Sequence, residues 1–396
     1  MRESLINFII FVIILFACSE NEKEFIFRNK VVPNIEFSEI TLDKTKSFGN
    51  SIDFDTPLIL PISVFSRDSS IVIFDFGDRK IKQFFKGDER TIDPLGDGPN
   101  KIQGQIVEGV GLASTSDELF IASNSIIKKF NFKTNSFNEK IDDTFENCDS
   151  FDAMFYEIFF KVSGKDSVII SQNGNPCFPL KELGNSINPD DLSQKYFVRI
   201  KSINNEDYDY SLKFPENLSL NKTYERFKFH FTYNEANDRY YVMFNPFKYL
   251  YEYKFDLKKK EFTLTNLWDL TLPKSDQVIE YFVKNNFGSS EISKALDYNF
   301  ELQFIKSSEK YVFILYQPSK DLIYDDPNEA PFSSHYFLSL IDLSTEELKT
   351  FSFDYNEFQF LGALQDQVWL YDILNSNESG KTQMKVMSVD ELTSVK

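Results

Sequence analysis

The sequence predicts an all-β fold made of six copies of one four-stranded unit, and three observations lead there. The 396 residues include 43 Phe and 19 Tyr, side chains that fill a pleated surface better than a helix face. Alanine is scarce, and a sustained helical period is found only in one insert, at 275–299. Apolar runs of strand length separated by polar turns recur along the chain. The clearest is 69–88, SSIVIFDFGDRKIKQFFKGD, two runs around a Gly-Asp turn that tolerates positive φ, as a hairpin needs.

Taken in order, each copy has an inner run, a short polar turn, a second run, a loop, a third run and a fourth. The first comprises 58–66, 71–76, 81–85 and 90–95; the second 107–114, 119–123, 126–132 and 136–141; the third 155–162, 167–171, 196–202 and 210–214. The fourth comprises 226–233, 240–244, 249–257 and 262–270, and the fifth 298–305, 311–316, 336–343 and 348–354. The sixth has 357–364, 368–373 and 384–389 and then runs out of chain. A single layered core stops growing at roughly 250–300 residues, so a longer chain splits or repeats. Repetition in fixed order with variable loops marks a radial array. Six four-stranded units make a six-bladed β-propeller, with an array of sandwiches as the alternative. The missing last strand is expected from the N-terminal segment 35–48, IEFSEITLDKTKSF, which would close the ring and leave no open edge.

Before the repeats lies an address. Arg2 is followed by the apolar stretch 5–17, too short for a membrane span of about 20 residues and suited to a secretory signal. It ends in Leu15-Phe16-Ala17-Cys18, which resembles the lipobox of bacterial lipoproteins, although Phe16 is bulkier than the residue usual there. The resemblance implies cleavage before Cys18 and acylation of its thiol. Ser19 at the next position lacks the aspartate linked to inner-membrane retention, so the expected location is the outer membrane of a Gram-negative cell envelope, facing the periplasm or the surface. The expected organisation is a signal peptide at 1–17, a tether at 18–33 and the propeller at 34–396.

The body also resembles a bacterial lipoprotein family of unknown function whose six-bladed propellers are of the NHL and TolB-like kinds. The residues behind the resemblance are the inter-blade turn Gly96-Asp97-Gly98-Pro99-Asn100 and the Phe/Tyr-rich repeats from about residue 35 onward. The family implies no activity. Within the turn, Gly98 permits unusual φ, Pro99 fixes the next residue and Asn100 can bond its own backbone, so Gly98, Pro99 and Asn100 read as structural.

The formal net charge of -18 disfavours phosphate backbones and anionic lipid heads, and nucleic acid is not an expected partner. In a propeller, inter-blade connections and second-to-third-strand loops share one face. The long pieces 93–106, 142–154, 172–195, 271–297 and 317–335 all fall there, and loops on a rigid scaffold are where binding is usually built. Cys148 and Cys177 lie on that face and are a candidate disulfide in an oxidising compartment, with free or buried thiols as the alternative. The insert at 275–299 carries a helical spacing at Val278, Tyr281, Phe282 and Asn285, capped by Ser275 or Asp276 and stopped near Gly288.

Chemistry is sparse. Arg226, Lys228 and His230 alternate with Phe227, Phe229 and Phe231 in RFKFHF, so the three basic groups share one side of a strand. With His335, they are the candidate residues for an anionic ligand; pairing with acidic neighbours is the alternative. No nucleophile elbow, zinc-binding helix, P-loop or C-x-x-C pair is present. Asp93, Asp97, Asp325, Asp326, Asn328 and Glu329 could offer oxygens to calcium, but no complete EF-type loop is formed, so no cofactor is expected. The leading expectation is a non-catalytic, lipid-anchored propeller that binds an envelope protein or small ligand. A calcium-assisted propeller enzyme on glycans or lactones, and a structural subunit of an envelope complex, are the alternatives.

Overall fold

The computed structural model describes residues 29–32, 37–40, 50–96, 101, 109–142, 156–172, 196–215, 228–270, 300–318 and 335–394, apart from short gaps within these ranges. Three N-terminal strands, β1 (Asn29–Val32), β2 (Phe37–Ile40) and β3 (Asn50–Phe54), precede the repeats. Blade 1 is β4 (Pro61–Arg67), β5 (Ser70–Asp75), β6 (Lys80–Phe85) and β7 (Asp88–Ile92); blade 2 is β8 (Gly109–Leu112), β9 (Glu118–Ser123), β10 (Ile126–Asn131) and β11 (Ser136–Asp142). Blade 3 is β12 (Tyr156–Ser163), β13 (Asp166–Gln172), β14 (Tyr196–Ser202) and β15 (Tyr208–Lys213); blade 4 is β16 (Lys228–Asn234), β17 (Arg239–Asn245), β18 (Tyr249–Asp256) and β19 (Glu261–Leu270). Blade 5 is β20 (Phe300–Ser307), β21 (Tyr311–Pro318), β22 (His335–Asp342) and β23 (Leu348–Asp354). Blade 6 is β24 (Phe358–Leu364), β25 (Gln367–Asp372) and β26 (Thr382–Ser388), completed by β3. The fold is a six-bladed β-propeller.

The last blade is closed by an N-terminal strand, but not by the segment expected. β3 pairs antiparallel with β26, from Asn50 opposite Val386 to Phe54 opposite Thr382. Within 35–48, residues Phe37–Ile40 instead add a parallel fifth strand to blade 5, from Phe37 opposite Thr350 to Ile40 opposite Phe353. β1 does the same for blade 4. Chain geometry explains the correction. The closing strand of blade 6 must hand over directly to the inner strand of blade 1, and β3 leaves only 55–60 to do so. Hydrophobic alternation is alike in both segments and could not choose between them.

Each blade buries both faces, so its strands carry apolar residues on alternating sides. Phe229, Phe231, Tyr240, Val242 and Phe244 of blade 4 pack on Val168, Ile170, Phe197 and Ile200 of blade 3. Tyr241, Met243 and Trp268, from the other side of blade 4, pack on Leu302, Val312 and Ile314 of blade 5. Equivalent clusters fill the seams between blades 5 and 6, 1 and 2, and 6 and 1. The seam between blades 2 and 3 is different. There the inner strands β8 and β12 pair directly in parallel. Strand register turns Phe120, Ala122 and Ile127 of blade 2 toward a blade 3 surface of Ile169, Ser171, Arg199 and Lys201, all buried.

A turn repeat is visible in the structure that the apolar pattern does not reveal. Asp75, Asn131, Asn234, Asp256 and Asp342 each end a strand and use Oδ1 to accept backbone N–H bonds from two or three residues ahead. Four residues after each, Arg79, Asn135, Asp238, Lys260 and Glu346 have φ between 52° and 63°. A non-glycine residue there costs about 1–2 kcal/mol. Glu346→Gly is therefore expected to raise stability by about 0.5–1 kcal/mol, net of the entropy a new glycine adds to the unfolded chain. Asp342→Ala should lower it by about 1 kcal/mol, because its carboxylate also accepts from the Ser344 hydroxyl at 2.6 Å. Urea denaturation midpoints check both signs.

Candidate functional site

Strand order divides the connections between two faces. First-to-second and third-to-fourth strand turns lie on one: 68–69, 86–87, 113–117, 132–135, 164–165, 203–207, 235–238, 257–260, 308–310, 343–347 and 365–366. All are short. The opposite face carries the strand ends that border 93–108, 143–155, 173–195, 214–227, 271–299 and 319–334, and those that border every remaining connection. The segment 214–227 joins the expected set of long pieces, because β15 ends and β16 begins on that face.

On the long-connection face, the described residues form a firm base. Lys101 Nζ lies 3.6 Å from Asp93 Oδ2 and also donates to the Asp93 carbonyl, while Lys128 Nζ donates to the Lys101 carbonyl at 2.7 Å. These contacts pin both ends of the Asp93–Lys101 stretch to blades 1 and 2. Between blades 6 and 1, the fully buried Asp75 accepts the Ile59 N–H at 2.9 Å, and the Tyr371 hydroxyl donates to the Leu58 carbonyl at 3.0 Å. Burial raises the Tyr371 pKa, so the phenol stays a donor. Three large apolar side chains stand out from the described surface here: Ile59, Tyr196 and Leu374. The Lys213 ammonium sits 5.0 Å from the Tyr196 ring centroid, which holds the exposed ring by a cation–π contact.

A short helix, α1 (Ile373–Ser379), follows β25 on this face. Asp372 caps it by accepting the Asn375 N–H, and Gly380 ends it at φ 69°. The sequence contained both signals, but seven residues without a clear period did not mark a helix. A second helix, α2 (Val389–Ser394), follows β26 and buries Val389 and Leu392.

The candidate ligand residues separate. Lys228 opens β16 and His335 opens β22, both at the long-connection face. His335 is opposite Asp354 in the sheet register. His230 is half-buried and opposite Met243, on the side of β16 that turns to blade 5. Its neighbours on that side bind the seam: Asn234 Nδ2 donates to the Ser308 carbonyl at 2.6 Å, and Thr232 Oγ1 lies 3.5 Å from Ser307 Oγ. Phe229 and Phe231 turn the other way, as the alternation requires. Cys18, Cys148, Cys177, Arg226, Gly98, Pro99 and Asn100 lie outside the described residues, as does the helical spacing at 275–299. Among the described residues, no group of three or more His, Cys, Asp or Glu side chains is placed to hold a metal ion.

One inner-strand residue went unnoticed in the sequence. Lys306 of β20 is half-buried, and desolvation of its amine takes its pKa from 10.5 down to about 7. A bulge between Leu302 and Phe304 shifts strand parity and places Lys306 on the blade 6 side, so simple alternation could not locate it. Unfolding takes up a proton wherever the folded amine is neutral and the unfolded one charged. Stability should then rise with pH from about 7 towards 10.5. Lys306→Met is expected to flatten that rise and to raise Tm below pH 7, as thermal melts at about pH 6 and 9.5 would read.

No protein-family model matches the chain, and no curated protein matches it. Solved structures do share its architecture. A protein assigned as exported from Bacteroides fragilis NCTC 9343 superposes with a TM-score of 0.51 at 10% identity, covering 91% of this chain and 99% of that one. A luciferin-regenerating enzyme gives a TM-score of 0.44 at 8% identity, covering 86% and 96%. The Swd1 β-propeller domain of Myceliophteria thermophila gives 0.42 at 6%, covering 84% and 99%. At these identities the likeness concerns fold alone.

Proposed function

We propose that the protein is a lipid-anchored, non-catalytic propeller of the outer membrane that binds a protein or small ligand on its long-connection face. The observation that carries this reading is the asymmetry of the connections. Every long segment joins strand ends on one face, and the opposite face has only short turns. Rigid scaffolds place variable loops where recognition happens. The Leu15–Cys18 motif supplies the anchor, and an envelope location is in keeping with the exported Bacteroides protein that shares the fold along nearly its whole length.

A thermal-shift screen tests the reading. The Cys18→Ser chain without its signal would be melted with glycans, small carboxylates, calcium and EDTA. A ligand at about 100 times its Kd should add about 2.7 kcal/mol. Turnover of a glycan or lactone, dependent on calcium, would overturn the non-catalytic reading in favour of a propeller enzyme. Cys18→Ser should also release the protein from membranes, and retention there would refute the anchor.

A further inference from the structure

We propose that blade 4 carries, on the face of the short turns, a preformed socket for an alkylammonium group, and that Lys161 of blade 3 is the internal ligand that keeps it closed. Three sides of the socket are aromatic rings: Tyr233 near the end of β16, Tyr240 at the start of β17 and Phe255 near the end of β18. The Tyr233 and Tyr240 rings stack with centroids 4.6 Å apart. Phe262 of β19 braces Tyr240 edge-on at 5.1 Å and Phe255 at 4.8 Å. The remaining side is the Asp238 carboxylate. Its place follows from the turn repeat, since Asn234 Oδ1 holds the turn and Asp238 closes it with a φ of 54°. The Tyr233 hydroxyl donates to Asp238 Oδ1 at 3.0 Å. Every one of these residues belongs to blade 4, so the socket does not depend on its occupant to take shape.

The occupant comes from the neighbouring blade. Strand alternation puts Phe159 and Lys161 on the side of β12 that meets blade 4, where the Phe159 ring lies 5.1 Å from Phe231. Lys161 Nζ stands 5.6 Å from the Tyr233 ring centroid and 5.9 Å from those of Tyr240 and Phe255, and it pairs with Asp238 Oδ1. Ring faces around a carboxylate are the chemistry that recognises an alkylammonium group. Arg239, next in sequence to Asp238, turns to Glu252 at 3.2 Å and leaves the Asp238 carboxylate to the amine. Tyr240 is fully buried, yet its hydroxyl meets no hydrogen-bond partner among the described residues. Burial first, and then the fields of Tyr233 and Asp238, keep that hydroxyl protonated, an oxygen left to accept from an ammonium N–H. A tethered amine has an effective concentration in the millimolar range or above. A free amine of millimolar affinity therefore does not displace it, and the socket opens only when the Lys161 side chain is cut back.

The test is chemical rescue. The full chain carrying Lys161→Ala, purified in detergent, is melted in n-butylammonium chloride, in n-butanol and in sodium chloride at matched concentrations. The substitution is expected to lower Tm by several degrees. Butylammonium should restore Tm across the millimolar range, as suits so small a ligand, while butanol and sodium chloride leave it low and the wild-type Tm does not rise. Adding Asp238→Asn to Lys161→Ala should abolish the recovery. Equal recovery with butanol would reduce the socket to an apolar gap, and recovery with none of the three would overturn it. Where Lys161→Ala does not fold, reductive methylation of the wild-type chain with formaldehyde and cyanoborohydride, read by peptide mass spectrometry, reports on the occupant. Lys161 is expected to label about tenfold more slowly than the exposed Lys254, and equal rates would overturn its place in the socket.

Discussion

A chain lacking residues 2–56 is expected to lose its cooperative fold, whereas one lacking only 2–48 should keep it. The difference is β3. Its backbone pairs with β26 over five positions, from Asn50 to Phe54. Its Phe54 side chain is buried against Phe84 of blade 1, with ring centroids 4.0 Å apart. Removing β3 unpairs the outer edge of blade 6 and uncovers Met384 and Val386, which pack in the same cluster as Phe54. Phe54→Ala alone should cost about 3–5 kcal/mol, against a typical total stability of 5–15 kcal/mol. The shorter deletion removes β1 and β2, which only extend blades that already have four strands. Urea denaturation followed by Trp fluorescence separates the two: a retained sigmoidal transition for the shorter deletion, none for the longer.

The second large effect is expected at Gly362. It sits at a bulge in β24, where φ is 155° and an added Cβ would lie 2.9 Å from Val64 Cγ1. That contact crosses the seam where blade 6 meets blade 1, and Gln359 Nε2 donates to the Pro61 carbonyl at 2.7 Å beside it. Gly362→Ala combines backbone strain with overpacking and should cost about 2–4 kcal/mol. Val64→Ala removes the clashing methyl but leaves the strain, so the double variant should recover part of the loss. A strictly additive pair would show that the two residues do not meet.

The repeat was legible because burial on both faces of each blade enforces runs of Val, Ile, Phe and Tyr such as 71–76 and 240–244, and no other common fold needs six such units with a missing last strand. Strand parity was less legible. Bulges between Pro61 and Ser63, Leu302 and Phe304, and Phe360 and Gly362 shift three inner strands by a residue, and a shift reverses which neighbour each side chain meets. This is why Lys306 escaped notice. The closing strand was ambiguous because SIDF and IEFSEI alternate alike, and only the distance to β4 decides between them. The seam of Arg199 and Lys201 had no sequence signal, since a cation between Val198 and Ile200 reads as an ordinary solvent-facing position. The candidate site was legible only as a face: loop length shows where recognition is built and is silent on the chemistry recognised.

Hydrogen exchange on the free protein and on its complex with the first ligand or partner found in the thermal-shift screen tests the central claim most directly. The account predicts protection at the strand ends of the long-connection face, at the amides of Gly77, Tyr196, Tyr249 and His335. Protection confined to the short turns 132–135, 257–260 and 343–347, with those strand ends unchanged, would contradict it.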